Sequence, residues 1–324
     1  LAGLITIFII YLIYRAKIHK KVINDTKHKT RESSLEICKE LFSTAIPIIA
    51  GTAIFSMTNL IDSRMVYGIL QNNGFSYTET KTLFGQLNGK YVVLTTLPVA
   101  ISTAISTAIV PSIASSIVKN DKRSVNKKIN MALRLTMIIS IPASIGLGVL
   151  ANQILQCIFP NNPDGGILLN VGAISVIFLS LSQIATGILQ GIGKVQIPAF
   201  AAFCGVVVKI PLNYFLISSP KLNIIGAVIG TTICYVISSN INLQMVRRIT
   251  KIKIDFISIF LKPIFSSVIM GLICYITYNL TYYIFSNNAF SLIISIIFGM
   301  IFYFIFMLII KGIKKQDLDN IPMG

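Results

Sequence analysis

The sequence predicts an all-α protein that crosses a membrane many times, a polytopic helical membrane protein. Eight long apolar stretches follow a shorter one at the start of the 324-residue chain. Mean hydropathy is +0.78, and charged residues make up 12% of the chain, against about 25% in a soluble domain. A helical span needs about 20 mostly apolar residues. The stretches also lack the alternation of a membrane β-barrel, so helices are the expected form.

The apolar stretches set the predicted organisation of the chain. The first is read as the end of a preceding transmembrane helix, because the chain begins at Leu1 inside it. A polar, basic segment follows and is the expected boundary between two lobes. The predicted spans are 1–14, 41–68, 86–116, 129–151, 167–190, 196–218, 222–246, 256–283 and 288–311. They group into the inter-lobe loop 15–40, a six-helix lobe 41–246, a two-helix extension 256–311 and the tail 312–324.

Positive charge alternates along the chain. The net charge is +17, and Lys and Arg concentrate in 15–40, 117–128, 247–254 and the tail, whereas the connections between these are nearly free of them. This is the positive-inside pattern. It predicts a multi-pass membrane protein whose basic connections and C-terminus face the cytoplasm. Basic loops beside spans attract anionic membrane lipid, so the charge does not indicate a nucleic-acid partner.

Nothing in the sequence indicates catalysis. Both histidines, His19 and His28, lie in the basic segment 15–40, and no metalloprotease, P-loop or nucleophile-elbow motif is present. The five cysteines lack metal or redox spacing. We therefore expect a protein that is not an enzyme and that uses no cofactor and no metal ion.

The most informative residues are ionisable groups at membrane depth, where charges are costly and usually functional. Lys209 lies about 20 Å into its span, at 1.5 Å per residue. Asp62 is the acidic residue that falls inside a predicted span, so the two should pair, directly or through Asn213, which shares a helix face with Lys209. Arg64 and Lys90 then leave surplus positive charge. We expect these two to face a central cavity and to bind an anionic, phosphate-bearing substrate.

Five segments carry a family resemblance. They are IPIIAGTAIFSMTNLIDSRMV (46–66), LPVAISTAISTAIVPSIASS (97–116), ILQGIGKVQIPAF (188–200), VVVKIPLNYFLI (206–217) and IIGAVIGTTICYVISSNIN (224–242). In order and spacing they resemble the polysaccharide-biosynthesis branch of the multidrug/oligosaccharidyl-lipid/polysaccharide flippase superfamily. That branch includes stage V sporulation protein B and the lipid II flippases of peptidoglycan synthesis.

The resemblance implies a two-lobe flippase, of which this chain holds the C-terminal six-helix lobe and the two-helix extension. The missing N-terminal lobe of the same protein would be its partner. It implies alternating-access transport of an undecaprenyl-pyrophosphate-linked oligosaccharide, with lipid II for cell-wall or spore peptidoglycan as one candidate, and an aromatic-rich extra hairpin that holds the lipid tail. A cation-coupled multidrug exporter of the same fold and a non-transporting scaffold for a glycan polymerase remain alternatives.

The resemblance also bears on the Lys209 position. Some relatives bind sodium in the second lobe, between the helices that match 41–68, 196–218 and 222–246. An ammonium group would repel that ion. We therefore expect Lys209 to act as a built-in cation beside Asp62, with no metal ion bound there.

Overall fold

The computed structural model describes residues 8–12, 14 and 33–312. Residues 8–12 and 14, inside the predicted end of a preceding helix at 1–14, are helical. The predictions for residues 15–32 of the inter-lobe loop and for 313–324 of the tail lie outside the described residues.

Helices dominate the described chain, and no strand occurs in 33–312. Two π-helical segments, Gln86–Val92 and Ile257–Leu261, lead directly into the helices that follow them. In chain order the helices are α1 (Ser34–Asn72), α2 (Tyr77–Gly85), α3 (Val93–Val118), α4 (Lys122–Val149), α5 (Ala151–Ile158), α6 (Gly166–Gly172), α7 (Ser175–Gly191), α8 (Gln196–Ser218), α9 (Ile224–Thr250), α10 (Lys262–Phe285) and α11 (Asn288–Ile309).

The expected membrane-spanning class is confirmed. Within the described residues, seven helical segments are long and apolar enough to cross a membrane. An eighth span results if α6 and α7, bent by 47° at their junction, count as one. These eight segments correspond to the eight predicted stretches after residue 14. The bend between α6 and α7 was not predicted.

One expected connection is largely helical instead. The segment 69–85 was read as a loop, but α1 continues to Asn72 and α2 begins at Tyr77. A capping box starts α2, since the Ser76 hydroxyl accepts from the Glu79 amide at 3.2 Å and the Glu79 carboxylate accepts from the Ser76 amide at 2.8 Å. From α2 the chain continues as helix through Gln86–Val92 into α3. The helical span is therefore longer than the apolar stretch 86–116 from which it was predicted.

The described chain separates into two compact units, 1–46 and 47–324. All residues discussed below belong to the second unit. The division into the lobe 41–246 and the hairpin 256–311 remains a prediction.

Three apolar clusters hold the second unit together. One joins α3, α4 and α7 around Ile129, Leu133 and Ile184. Another joins α1, the π-helical segment before α3, and the adjoining ends of α5, α6, α8 and α9. The third seats α10 and α11 against α4. Large apolar side chains such as Phe215 and Tyr283 point outward, as expected where lipid replaces water as the solvent.

Small residues and hydrogen bonds from side chains to main-chain carbonyls hold the last hairpin, α10 and α11, in place. A Cβ on Gly299 would lie 2.2 Å from the Cys274 sulfur, so α10 and α11 approach more closely there than any larger residue allows. The Ser295 hydroxyl donates to the Cys274 carbonyl at 2.6 Å. The Tyr303 hydroxyl donates to the Ile138 carbonyl of α4 at 2.7 Å. The hairpin is therefore fixed to the rest of the unit by polar as well as apolar contacts.

Candidate functional site: a buried ion pair and its surroundings

A buried ion pair joins α1 to α8. The Lys209 Nζ donates to Asp62 Oδ2 at 2.6 Å, and the Asn213 amide Nδ2 donates to Asp62 Oδ1 at 2.8 Å. Lys209 and Asn213 are four residues apart on α8 and so present their side chains on one face. The structure thus brings together the three residues proposed for this cluster, and each carboxylate oxygen has a nitrogen donor.

The pair is almost fully shielded. The Lys209 side chain is 1% exposed and that of Asp62 is 12% exposed, and Asn213 is buried. Removing one partner from such a pair leaves an uncompensated buried charge, at a cost of about 3–5 kcal/mol. The slight exposure of Asp62 places the carboxylate at the edge of the shielded region and the ammonium inside it.

Helix α9 covers the pair because it carries a glycine at the crossing point. A Cβ on Gly230 would lie 2.0 Å from Asn213 Oδ1. This oxygen is buried and makes no hydrogen bond in the described structure. On the same helix Cys234 contacts Gly205 of α8, where a Cβ would lie 2.8 Å from the Cys234 carbonyl oxygen. Two glycines therefore let α8 and α9 approach closely beside the charges.

The ion pair matters most to α1, which is the least shielded span. Only 6% of its most apolar 18-residue window is buried, against 28–50% for the other spans. Beyond Asp62, α1 is anchored by Val66 and Leu70, which are fully buried in the second apolar cluster. The hydrogen bonds from α8 to Asp62 therefore give α1 a specific polar contact in a part of the helix where few of its side chains are buried.

Lys90 occupies a different environment from the one expected. It was predicted to face a central cavity, but it is 8% exposed and lies beneath the loop that precedes α6. Its Nζ donates to the Asn162 carbonyl at 2.5 Å, the Asp164 carbonyl at 2.7 Å and Asn162 Oδ1 at 3.1 Å. The ammonium also lies 5.5 Å from the centre of the Phe159 ring. An ammonium has three N–H donors, and here all three have acceptors.

Arg64 lies on an exposed face of α1. It is two residues from Asp62, which turns its side chain away from the buried pair, and it is four residues from Leu60, which is 69% exposed. Across 33–312 the structure gives Arg64 no hydrogen bond or ion pair. Arg64 and Lys90 therefore do not share one environment, and of the two only the Arg64 guanidinium is open to a ligand.

Sequence reasoning missed two sets of partners. Asn162 and Asp164 bind Lys90 mainly through main-chain carbonyls, which every residue has, so no residue-type signal was available. The Tyr91 hydroxyl lies 2.9 Å from the Ser175 hydroxyl at the start of α7. A tyrosine within an apolar stretch suggests a buried hydrogen bond, but its partner is 84 residues away in sequence.

No metal centre is evident in the described part of the chain. Residues 8–12, 14 and 33–312 contain no group of three His, Cys, Asp or Glu side chains placed to hold an ion. At the position proposed for a built-in cation, both Asp62 oxygens already accept from nitrogen donors.

The spans, the bent α6–α7 pair and the buried charges define a polytopic helical membrane protein. The sequence model described as lipid II flippase MurJ matches residues 1–255. The chain therefore belongs to the MurJ lipid II flippase family, and the proposed superfamily is confirmed.

Solved structures show the same fold. A lipid II flippase MurJ in an inward closed conformation superposes with a TM-score of 0.63 at 21% identity, covering 91% of this chain and 58% of that one. A superfamily transporter from Pyrococcus furiosus superposes with a TM-score of 0.54 at 18% identity, covering 80% of this chain and 61% of that one. A multidrug transporter of the same superfamily, in an outward-facing conformation, gives the same four values.

A curated relative is similar in sequence. The uncharacterized membrane protein YabM of Bacillus subtilis (strain 168) is 26% identical over 251 residues, which is 76% of this chain and 46% of YabM. The chain thus spans about half the length of that relative.

Proposed function

We propose that this chain is the second half of a flippase that moves an anionic lipid-linked oligosaccharide across the bacterial plasma membrane by alternating access. The proposed cargo is an undecaprenyl-pyrophosphate-linked glycan, with lipid II as the first candidate. The supporting observation is the charge arrangement. Asp62 is neutralised by Lys209, whereas Arg64 is exposed and has no hydrogen-bond or ion-pair partner among residues 33–312. The open charge at this depth is therefore positive, which favours an anionic cargo.

Arg64 is the proposed headgroup contact. A guanidinium binds phosphate oxygens through two parallel N–H donors, which an ammonium cannot reproduce. For Lys90 we propose a role other than cargo binding. Since its three donors are occupied by the loop before α6, we propose that Lys90 positions that loop and does not contact the cargo.

The last hairpin is the proposed lipid-tail surface. An apolar groove of about 450 Å³ lies between α4 and α10 and is lined by Ile145, Val149, Val268, Gly271, Leu272 and Tyr275. Gly271 lets α10 approach α4 closely beside this groove, because a Cβ there would lie 2.8 Å from the Ile145 side chain. An aliphatic groove facing lipid suits one chain of a polyprenyl tail.

The buried pair supports a cycle that does not use sodium at this position. An ammonium covalently fixed to α8 supplies the positive charge that Asp62 requires. We propose that transport is unchanged when sodium is replaced by potassium on both sides of the membrane. Sodium-dependent transport that disappears in Asp62→Asn would contradict this.

The proposed orientation puts 117–128, 247–254 and the C-terminus in the cytoplasm. Labelling of Arg123→Cys in a cysteine-free background tests it in intact cells. A membrane-impermeant maleimide should fail to label this position until the membrane is permeabilised. Labelling from outside in intact cells would show that the orientation is the reverse of the one proposed.

The two rival functions predict different results. A multidrug exporter for cationic compounds would favour open carboxylates, yet the Asp62 carboxylate is covered by Lys209 and Asn213. A non-transporting scaffold would give no flipping at all. The test is a fluorescent lipid-linked oligosaccharide assay with full-length protein in proteoliposomes. We expect flipping to fall in Arg64→Lys and further in Arg64→Gln. It should persist in the control Lys81→Gln, which removes an exposed charge from the neighbouring α2.

A further inference from the structure

A pocket with both polar and apolar walls lies at the end of the bundle opposite the basic connections. Its volume is about 430 Å³, at the lower end of the range for small-molecule sites. Side chains from the π-helical segment before α3, from α5 and from the loop before α6 converge on it. The hydrogen-bonding members are Gln86, Asn152, Gln156 and Asp164.

The walls of the pocket are held in place by contacts beneath it. Lys90 binds the carbonyls of Asn162 and Asp164, which fixes the loop that carries Asp164. Asn170 of α6 donates to the Gly148 carbonyl of α4 at 2.8 Å. The pocket therefore does not depend on a mobile loop for its shape.

Two consecutive glycines shape the rim. Gly165 has a φ of +102°, a backbone conformation that L residues rarely adopt. A Cβ on Gly166 would lie 1.7 Å from Asn152 Oδ1, and one on Gly165 would lie 3.3 Å from the Gln86 side chain. The glycines thus leave room for both amide side chains at the pocket. No hydrogen bond from the side chains of Gln86, Asn152, Gln156 or Asp164 is present within 33–312.

The chemistry of the walls selects the ligand. Three side-chain amides offer donors and acceptors, and the Asp164 carboxylate offers acceptors only. Asp164 is the one ionisable residue in the lining, and the nearby Lys90 ammonium is occupied. Aliphatic side chains, including Leu168 and Ile225, complete the surface. This set suits a neutral molecule with many hydroxyl and amide groups on an otherwise aliphatic ring, and it disfavours phosphate.

We infer that this pocket is a binding site for the carbohydrate part of a glycan, separate from the proposed phosphate contact at Arg64. The inference rests on the proposed function only in taking the ligand to be the sugar portion of the transported lipid. With the proposed orientation, the pocket opens on the outer side, where the sugar of a flipped molecule would emerge.

The test uses a fluorescent reporter in the purified full-length protein. The chain contains no tryptophan, and Ile167, which lines the pocket, is 65% exposed, so Ile167→Trp adds a reporter with little disturbance. The same protein without this substitution gives the background signal. Diacetylchitobiose is the probe, and we expect a saturable change in tryptophan fluorescence.

Two variants make the test specific. Asn152→Ala combined with Gln156→Ala removes two exposed amides and should weaken binding at least about tenfold, since each hydrogen bond contributes about 1 kcal/mol. Gln71→Ala removes an exposed amide at the end of α1, outside the pocket, and should leave binding unchanged. Inorganic pyrophosphate should not displace the probe.

Several results would overturn the inference. These are no saturable response, equal affinity in the double variant, or displacement of the probe by pyrophosphate. The flipping assay is read separately. Sugar binding without flipping rejects the proposed function and keeps the pocket, whereas flipping without sugar binding rejects the pocket alone.

Discussion

Two lysines at membrane depth, Lys209 and Lys90, show how the same residue type can serve two purposes. Lys209 is 1% exposed and its ammonium meets a carboxylate from another helix. Lys90 is 8% exposed, donates to three neutral oxygens of one short loop and lies 5.5 Å from the centre of the Phe159 ring. The first pairs opposite charges and ties α1 to α8. The second organises a loop near the end of the bundle. Partner chemistry, rather than depth, separates a charge-neutralising lysine from a loop-positioning one.

The largest expected effect comes from removing the Lys209 charge. Lys209→Met leaves the Asp62 carboxylate buried without a cation, and we expect a loss of about 3–5 kcal/mol in stability. Thermal unfolding of the detergent-purified protein followed by circular dichroism would measure it. The double variant Asp62→Asn with Lys209→Met removes both charges and should recover part of the loss. An unaltered unfolding temperature in the single variant would mean that the pair does not hold α1.

A smaller loss is expected from closing the space above Asn213. Gly230→Ala puts a methyl group 2.0 Å from Asn213 Oδ1 in the present arrangement, so α9 or the amide must shift. Overpacking of this kind costs about 1–3 kcal/mol. Gly68→Ala is the matched control, because a Cβ there meets nothing within 4 Å. Equal unfolding temperatures for the two variants would show that α9 accommodates the added methyl group without a loss of stability.

Loss of the Lys90 ammonium should act locally. Lys90→Met removes hydrogen bonds to two main-chain carbonyls. These carbonyls belong to exposed loop residues, so water replaces part of the lost bonding and the loss of stability should be smaller than for Lys209→Met. The effect should be faster amide hydrogen exchange in 159–166, with α8 and α9 unchanged. Faster exchange throughout the bundle would instead indicate that Lys90, like Lys209, stabilises the whole helix bundle.

The smallest effect on stability should come from Arg64. Its side chain is exposed and without a protein partner in the described structure, and such surface substitutions usually change stability by no more than about 0.5 kcal/mol. Arg64→Gln should therefore unfold like the parent protein while flipping falls. A large drop in unfolding temperature would place Arg64 among the structural charges and remove it as a headgroup contact.

The sequence by itself determined the helical membrane class, the apolar segments that form the spans after residue 14 and the pairing of Asp62 with Lys209. Each follows from a strong physical penalty. Apolar stretches of this length require helices in lipid, and a deep ammonium requires a carboxylate, of which the predicted spans offered one. Even a distant partner can be inferred when so few candidates exist.

Only the tertiary structure decided the rest. The three acceptors of Lys90 come mainly from main-chain carbonyls 72 and 74 residues away. The pocket beside them is assembled from four separate stretches of the chain. The bend between α6 and α7 and the fit of Gly230 over Asn213 depend on neighbouring helices. Backbone acceptors and close approaches carry no residue-type signature, because they arise only when the folded segments meet.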